Sequence, residues 1–141
     1  MEIKRFHSKD INALRRLYLD SRTATFTWLD TSNFELLDFD RDTEGEQIWV
    51  ASEFKEVIGF ISIWKPESFI HHLFVSPESV AKGVGSKLLS VAKLHYPKLS
   101  LKCLAYNQRA IGFYLSKGFI IASTVDEGME SYHLMEFSAQ T

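Results

Sequence analysis

Three groups of residues in this chain have types and spacings suited to chemistry. The first is Lys82-Gly83-Val84-Gly85-Ser86, which places two glycines at the head of an amphipathic run. Glycine lets the backbone turn sharply and approach a ligand closely. The orphan amides of a helix N-terminus then favour an anion, so the unit suits a phosphate or pyrophosphate. It is neither common nucleotide motif. No glycine stands five residues before Gly85, Ser86 intervenes before Lys87, and position 88 is Leu where a dinucleotide fingerprint needs its third glycine. The second group is Asn107 to Phe119, in which Asn107 suits an N-cap and Gly118 a helix C-terminus. Asn107 and Tyr114 lie two turns apart and therefore on one helix face. Capping and core packing alone would also account for these residues. The third is the pair His71-His72, whose rings strand alternation sends to opposite faces.

The elements that must hold these groups follow from periodicity. Glu2–Phe6 alternates as a short strand. Ser8 then reads as the N-cap of a helix carrying Ile11, Leu14, Leu17 and Tyr18 to about Ser21. Ser32–Phe39 is a short helical candidate. Gln47–Glu53 and Val57–Trp64 form a hairpin about Lys55-Glu56, and Phe69–Val75 is a further strand closed by Ser76-Pro77. The glycine turn opens a helix with Val84, Leu88, Leu89 and Ala92 on one face. Leu99–Ala105 is a strand, Asn107–Lys117 a helix, and Phe119–Val125 and Tyr132–Phe137 two closing strands. A meander followed by crossovers predicts an α/β mixed sheet with helices on both faces.

Composition bounds the rest. A chain of 141 residues with 45% hydrophobic and 24% charged residues has the size and make-up of one folded domain, 1–141. A net charge of −2 argues against a partner made of nucleic acid. One cysteine, Cys103, excludes an internal disulfide and a multi-cysteine zinc site. No apolar stretch approaches the roughly 20 residues of a membrane helix, and the polar start has no secretory pattern. The expectation is a cytoplasmic protein, with no membrane partner, acting as a monomer or homodimer.

Taken together, the two glycine-bearing motifs resemble the GNAT superfamily of N-acetyltransferases, in its small single-domain bacterial form. Val80-Ala81-Lys82-Gly83-Val84-Gly85 is similar to that family's [QR]-x-x-G-x-[GA] signature, and follows a strand of the L-x-V-x-P kind, Leu73 to Pro77. Asn107 to Phe119 matches N-x-x-A-x-x-F-Y-x-x-x-G-F in full. The resemblance spans about Gln47 to Phe137. One position departs: Val80 stands where Gln or Arg is usual, which removes a polar side chain from the phosphate turn.

The resemblance implies a mostly antiparallel sheet splayed between its fourth and fifth strands, and acetyl transfer from acetyl-CoA to an amine, without a metal. It places pantetheine against the backbone of Leu73 and Val75, and the pyrophosphate on the amides of Lys82, Gly83, Val84, Gly85 and Ser86. Asn107 and Tyr114 flank the far side. Attack needs a neutral amine, and about 1 in 2,500 lysine-like amines is neutral at pH 7, a cost of roughly 4.6 kcal/mol. His71 is the expected base or relay, preferred over His72 because it shares strand parity with Leu73 and Val75 and matches a histidine of the arylalkylamine acetyltransferases. Tyr114 is the expected acid for the departing thiolate. The acceptor, a small-molecule amine or a protein amino group, is expected beside Phe26 and Trp28. Seven acidic residues and Arg41 alone lie between Asp30 and Glu46, a wall that would attract a cation. A non-catalytic acyl-CoA-binding domain of the same fold is the alternative.

Overall fold

In the computed structural model, which describes residues 1–139, the hydrophobic alternation resolves into seven strands and four α-helices. In chain order these are β1 (Glu2–Arg5), α1 (Ile11–Thr25), α2 (Asp38–Asp42), β2 (Gln47–Glu53), β3 (Glu56–Trp64) and β4 (Phe69–Val75). There follow α3 (Val84–His95), β5 (Lys98–Leu104), α4 (Gln108–Ser116), β6 (Ile120–Val125) and β7 (Tyr132–Ser138). One sheet holds all seven strands in the order β1-β2-β3-β4-β5-β7-β6. Every pairing is antiparallel except β4 with β5, which is parallel.

Helices cover both faces, as the strand patterns require. On one face Leu14, Leu17 and Tyr18 of α1 and Phe39 of α2 pack on Ile48, Val50 and Phe60. On the other, Val84, Leu88, Leu89 and Ala92 of α3 pack on Ala51, Ile61 and Ile63, and Tyr114 and Phe119 extend that core. Burying each such large side chain contributes about 1.5–3 kcal/mol. Removing the fully buried Leu88 side chain to Ala would cost about 2–5 kcal/mol. Gly59 permits the close approach of α3 to β3: a Cβ there would lie 3.0 Å from Val84 and 3.1 Å from the Phe74 carbonyl oxygen.

Two local expectations are corrected. Ser8 does not cap α1: it opens a short 3-10 turn, Ser8–Asp10, capped by His7, whose Nδ1 accepts from the Lys9 amide and whose own amide donates to the Asp10 side chain, and Asp10 then leads into α1 without a side-chain cap. The short helix is Asp38–Asp42 rather than Ser32–Phe39. Tertiary contacts override the local pattern here. Phe34 lies over the Arg22 guanidinium, and the Asp38 carboxylate accepts from the Glu35 amide, so the chain turns where a helix was expected.

The β4–β5 pairing positions the site. It consists of Phe69↔Ser100 and Ile70↔Leu101 alone, after which the strands part. On its other side β4 stays paired with β3 as far as Val75. The ladder slips between Ser62 and Ile63, which face His72 and Ile70, so His71 is an extra, bulged residue.

Candidate active site

The gap between β4 and β5 opens onto a cleft of about 390 Å³. Its walls include Leu73 and Val75 of β4, the turn Gly83–Ser86 at the head of α3, and Asn107, Phe113 and Tyr114 of the α4 segment. Each wall has a local cause. The Ser76 amide donates to the Ile58 carbonyl at 2.8 Å. Alternation along an antiparallel ladder therefore turns the amides of Leu73 and Val75 away from β3, toward the gap.

The helix end is equally specific. Gly83 adopts φ +81°, a left-handed conformation that favours glycine, and caps α3. The first helical bond runs from the Lys87 amide to the Gly83 carbonyl, so the amides from Gly83 to Ser86 have no helical acceptor. Lys82 differs from its neighbours. Its amide donates to the Ser79 carbonyl at 3.3 Å, and its side chain lies outside the cleft wall. Expected with the cradle, Lys82 sits beside it. Gly85 leaves room for Phe113, whose ring would be 3.4 Å from a Cβ at that position. This glycine locks α3 against α4 at the cleft.

Asn107 caps α4 by accepting from the Ala110 amide at 3.2 Å, which fixes the entry of the helix that carries Tyr114. Tyr114 is buried, 9% exposed, with its ring against Phe113 and Phe119. Burial, with a smaller contribution from Cys103, raises its phenol well above the ordinary value of 10. The hydroxyl therefore stays protonated and is a donor throughout the neutral range. Burial pushes the Cys103 thiol up to about 11, so this residue is an inert neighbour rather than a nucleophile.

The bulge on β4 corrects the expectation for the histidines. Instead of pointing to opposite faces, their rings lie 4.3 Å apart on the α1–α2 side. His71 does not share the face of Leu73 and Val75. It lies one residue beyond the last β4–β5 pair, where the strands part, and its side chain is 48% exposed. Its Nδ1 meets the Glu46 carboxylate, whose other oxygen accepts from the Ser62 hydroxyl. His72 is half-buried against Tyr18 and Phe74 and donates from Nε2 to the Asp42 carbonyl at 3.1 Å. Desolvation first, then the neighbouring His71, lowers its pKa below the usual 6.5. Glu46, His71 and His72 also bring three ligand-type atoms within 4.8 Å of one another, the one such cluster among the described residues.

Phe26 and Trp28 leave the end of α1 and reach the mouth of the gap. Phe26 packs edge-on against Phe74, and Trp28 lies 6.3 Å from the exposed Tyr106 between β5 and α4. The Trp28 indole donates to the Met129 carbonyl at 3.2 Å, bridging the two halves of the sheet. The acidic wall is largely spent within the fold. Asp38 pairs with Arg22 and Arg41, Asp40 with Arg15, and Asp42 with Arg41 and the Tyr18 hydroxyl. These carboxylates pin α2 to α1, which corrects the expectation of a free cation-attracting surface. A wider groove of about 1320 Å³ lies elsewhere, between α1 and the ends of β1 to β3. Lys4, Arg16 and Lys55 alternate there with Asp10, Glu56 and Glu78, so it favours no charge class.

A cleft of this form, between a parted parallel strand pair and a glycine-capped helix, accompanies a match to the acetyltransferase (GNAT) family over residues 11–119. The chain belongs to the GNAT family. It is 30% identical over 122 residues to the peptidyl-lysine N-acetyltransferase YiaC of Escherichia coli strain K12, covering 84% of this chain and 83% of that protein. Among solved structures, the ribosomal-protein-S18-alanine N-acetyltransferase of E. coli superposes with a TM-score of 0.78 at 17% identity, over 99% of this chain and 94% of that one. The PaiA N-acetyltransferase of Thermoplasma acidophilum, solved with coenzyme A, gives 0.76 at 20% identity, over 97% and 98%. These neighbours share the fold of this chain.

Within this GNAT chain, Leu73, Val75, Gly83, Val84, Gly85, Ser86, Asn107 and Tyr114 converge on one cleft. His71 lies at the parting of the strands, and Phe26 and Trp28 at the mouth. Ser62 and Tyr106 were not expected from the sequence, and Glu46 only as the last charge of the acidic stretch. Glu46 meets His71 across 25 residues of chain and Ser62 across 16, and neither contact belongs to a local motif.

Proposed function

We propose that this GNAT protein transfers the acetyl group of acetyl-CoA to a primary amine, by direct attack in a ternary complex. The observation that carries this reading is the convergence, in one cleft, of inward-facing strand amides, a helix N-terminus without a side-chain cap and a protonated buried tyrosine. Leu73 and Val75 offer β-like hydrogen bonds to the amide-bearing pantetheine arm. The amides from Gly83 to Ser86 offer the positive end of α3 to the pyrophosphate. Val80 adds no charge there, so the backbone bears the binding.

Each proton then has a route. The amine nitrogen bonds to the thioester carbonyl carbon, and its surplus proton passes to His71, directly or through water. A β4 amide near Leu73 donates to the carbonyl oxygen as negative charge grows there. The carbon–sulfur bond breaks as Tyr114 donates its proton to the sulfur. The chemistry needs neither a redox step nor a metal ligand set. Phe26 and Trp28, with Tyr106, offer aromatic surface to the acceptor's alkyl stem and cationic head. A lysine side chain of a protein is the acceptor favoured by the relationship to YiaC.

The test is consumption of acetyl-CoA thioester in the presence of lysine peptides, N-terminal alanine peptides, polyamines and arylalkylamines. Turnover with at least one amine, and mass increase of that amine by one acetyl group, are expected. Stoichiometric acetyl-CoA binding without turnover on any amine class would replace this reading with a non-catalytic acyl-CoA-binding domain.

A further inference from the structure

We infer that Glu46 is the positioning residue for His71: a buried carboxylate that holds the ring's proton on Nδ1 and leaves Nε2 bare to accept the proton of the attacking amine. The proposal rests on the reading of His71 as base, and adds a residue that lies outside every motif in the sequence. The Glu46 side chain is 5% exposed, whereas that of His71 is 48% exposed. A carboxylate shut away from water is costly unless both oxygens are engaged. Here both are: Ser62, fully buried, donates its hydroxyl to one, and the other meets His71 Nδ1.

The surrounding chain is built to deliver this contact. Gly45, at φ +77°, turns the chain between α2 and β2, and the Glu46 amide donates back to the Thr43 carbonyl at 3.0 Å. The Asp42 carbonyl, on the other side of that turn, accepts from His72 at 3.1 Å. The turn is thus fastened to β4 at two adjacent histidines. The bulge makes this arrangement available, because without the extra residue His71 would face α3 rather than Glu46. The histidines differ in what they meet. His72 uses Nε2 as a donor to a carbonyl and is a strut, whereas His71 meets a carboxylate at Nδ1 and has a half-exposed side chain.

The chemical consequence is specific. A neutral imidazole carries one proton, and a carboxylate at Nδ1 fixes that proton there. The lone pair at Nε2 is then available, and the positive charge that forms on the ring during proton transfer is matched by the carboxylate behind it. An amide of the same shape carries no charge to match the imidazolium, and with its N–H facing Nδ1 it holds the proton on Nε2.

The experiment compares wild type, His71→Ala, Glu46→Gln and Ser62→Ala in single-turnover acetyl transfer, with acetyl-CoA affinity and melting temperature measured in parallel. Nitrogen NMR of the histidine rings reports the His71 tautomer independently of activity. The Nδ1–H form is expected in wild type, and Glu46→Gln is expected to move the population toward Nε2–H. Transfer should fall about 10²–10⁴-fold in Glu46→Gln with acetyl-CoA affinity nearly unchanged, as for loss of a general base. Ser62→Ala keeps the carboxylate and is expected to show a smaller loss in the same direction, which covers the case in which Glu46→Gln fails to fold.

Transfer within about threefold of wild type in Glu46→Gln, beside a severe loss in His71→Ala, would overturn the role of Glu46 and leave the base assignment standing. Undiminished transfer in His71→Ala would overturn the base assignment, and this proposal with it. An Nε2–H tautomer in wild type overturns the proposal whatever the rates. So does a stoichiometric zinc ion in the purified protein whose removal changes transfer, since the three side chains would then be ligands.

Discussion

Tyr114 owes its place to packing, and the same burial keeps its hydroxyl protonated. The ring fills the core between Phe113 and Phe119, while the residue lines the cleft beside Asn107. Tyr114→Phe removes one hydroxyl and nearly no apolar volume, so the melting temperature should change by no more than a few degrees. If the hydroxyl protonates the departing thiolate, single-turnover acetyl transfer falls about 10²–10⁴-fold with acetyl-CoA affinity almost unchanged. Rates within about threefold of wild type would return Tyr114 to the core. At this scale the sequence was most informative where residues act locally. Gly83, Gly85, Asn107 and Tyr114 lie in contiguous runs whose spacing is legible without a structure. Lys82 was over-read from the same run, because its amide is taken by Ser79. Glu46 was legible only as one charge of the acidic stretch, because its partners His71 and Ser62 come from other strands.

The elements carry the second layer of information, and β4 is where it turns on one inserted residue. Alternation predicted the strand and its limits correctly, and then misassigned the face of His71, because the period of two fails across a bulge. That bulge also sets His72, half-buried, under α1, with Tyr18, His71, Glu46 and Asp42 facing it. His72 titrates near 6.5 in the unfolded chain and lower in the folded protein. Between those values the unfolded state binds more protons, so folding stability is full above about pH 6.5 and declines as the pH falls below it. The melting temperature should therefore drop between pH 7.5 and 5.5, and the drop should be shallower in His72→Gln, which can still donate to the Asp42 carbonyl. An unchanged slope in the variant would assign the pH dependence elsewhere. Asp38, Asp40 and Asp42 act at a lower pH. Their carboxyls are held below the ordinary 3.8 by hydrogen bonds from the Glu35 amide, Arg15, Arg41 and Tyr18, against the opposing effect of desolvation. Their stabilisation is complete above that value and is lost only as the pH falls beneath it. The acidic stretch was legible as charge but not as pairing, since two of its three cations, Arg22 and Arg15, lie on α1, 16 and 25 residues away.

Across the molecule, the sheet is two well-paired halves joined by a weak seam. β1 to β4 form one antiparallel ladder and β5 to β7 another, and between them only two residue pairs are made before the strands part. The bridge from Trp28 to Met129 and the contact of Gly85 with Phe113 add to that seam from outside the sheet. A ligand that lies in the gap and touches both walls replaces missing strand pairing, so it should stiffen the whole domain rather than one loop. Acetyl-CoA is accordingly expected to raise the melting temperature, by about 2.7 kcal/mol of stability at 100 times its Kd. It should also slow hydrogen exchange at the Leu73 and Val75 amides, which face the gap. ATP has the phosphates without the pantetheine arm, so it should slow exchange near Gly83–Ser86 and leave Leu73 and Val75 unprotected. Gly83→Asp sets a negative charge at the helix end and a side chain where φ is +81°, and should abolish both the thermal shift and the protection. Equal protection of Leu73 and Val75 by ATP, or an acetyl-CoA shift that survives in Gly83→Asp, would show that the coenzyme does not bridge the parted strands.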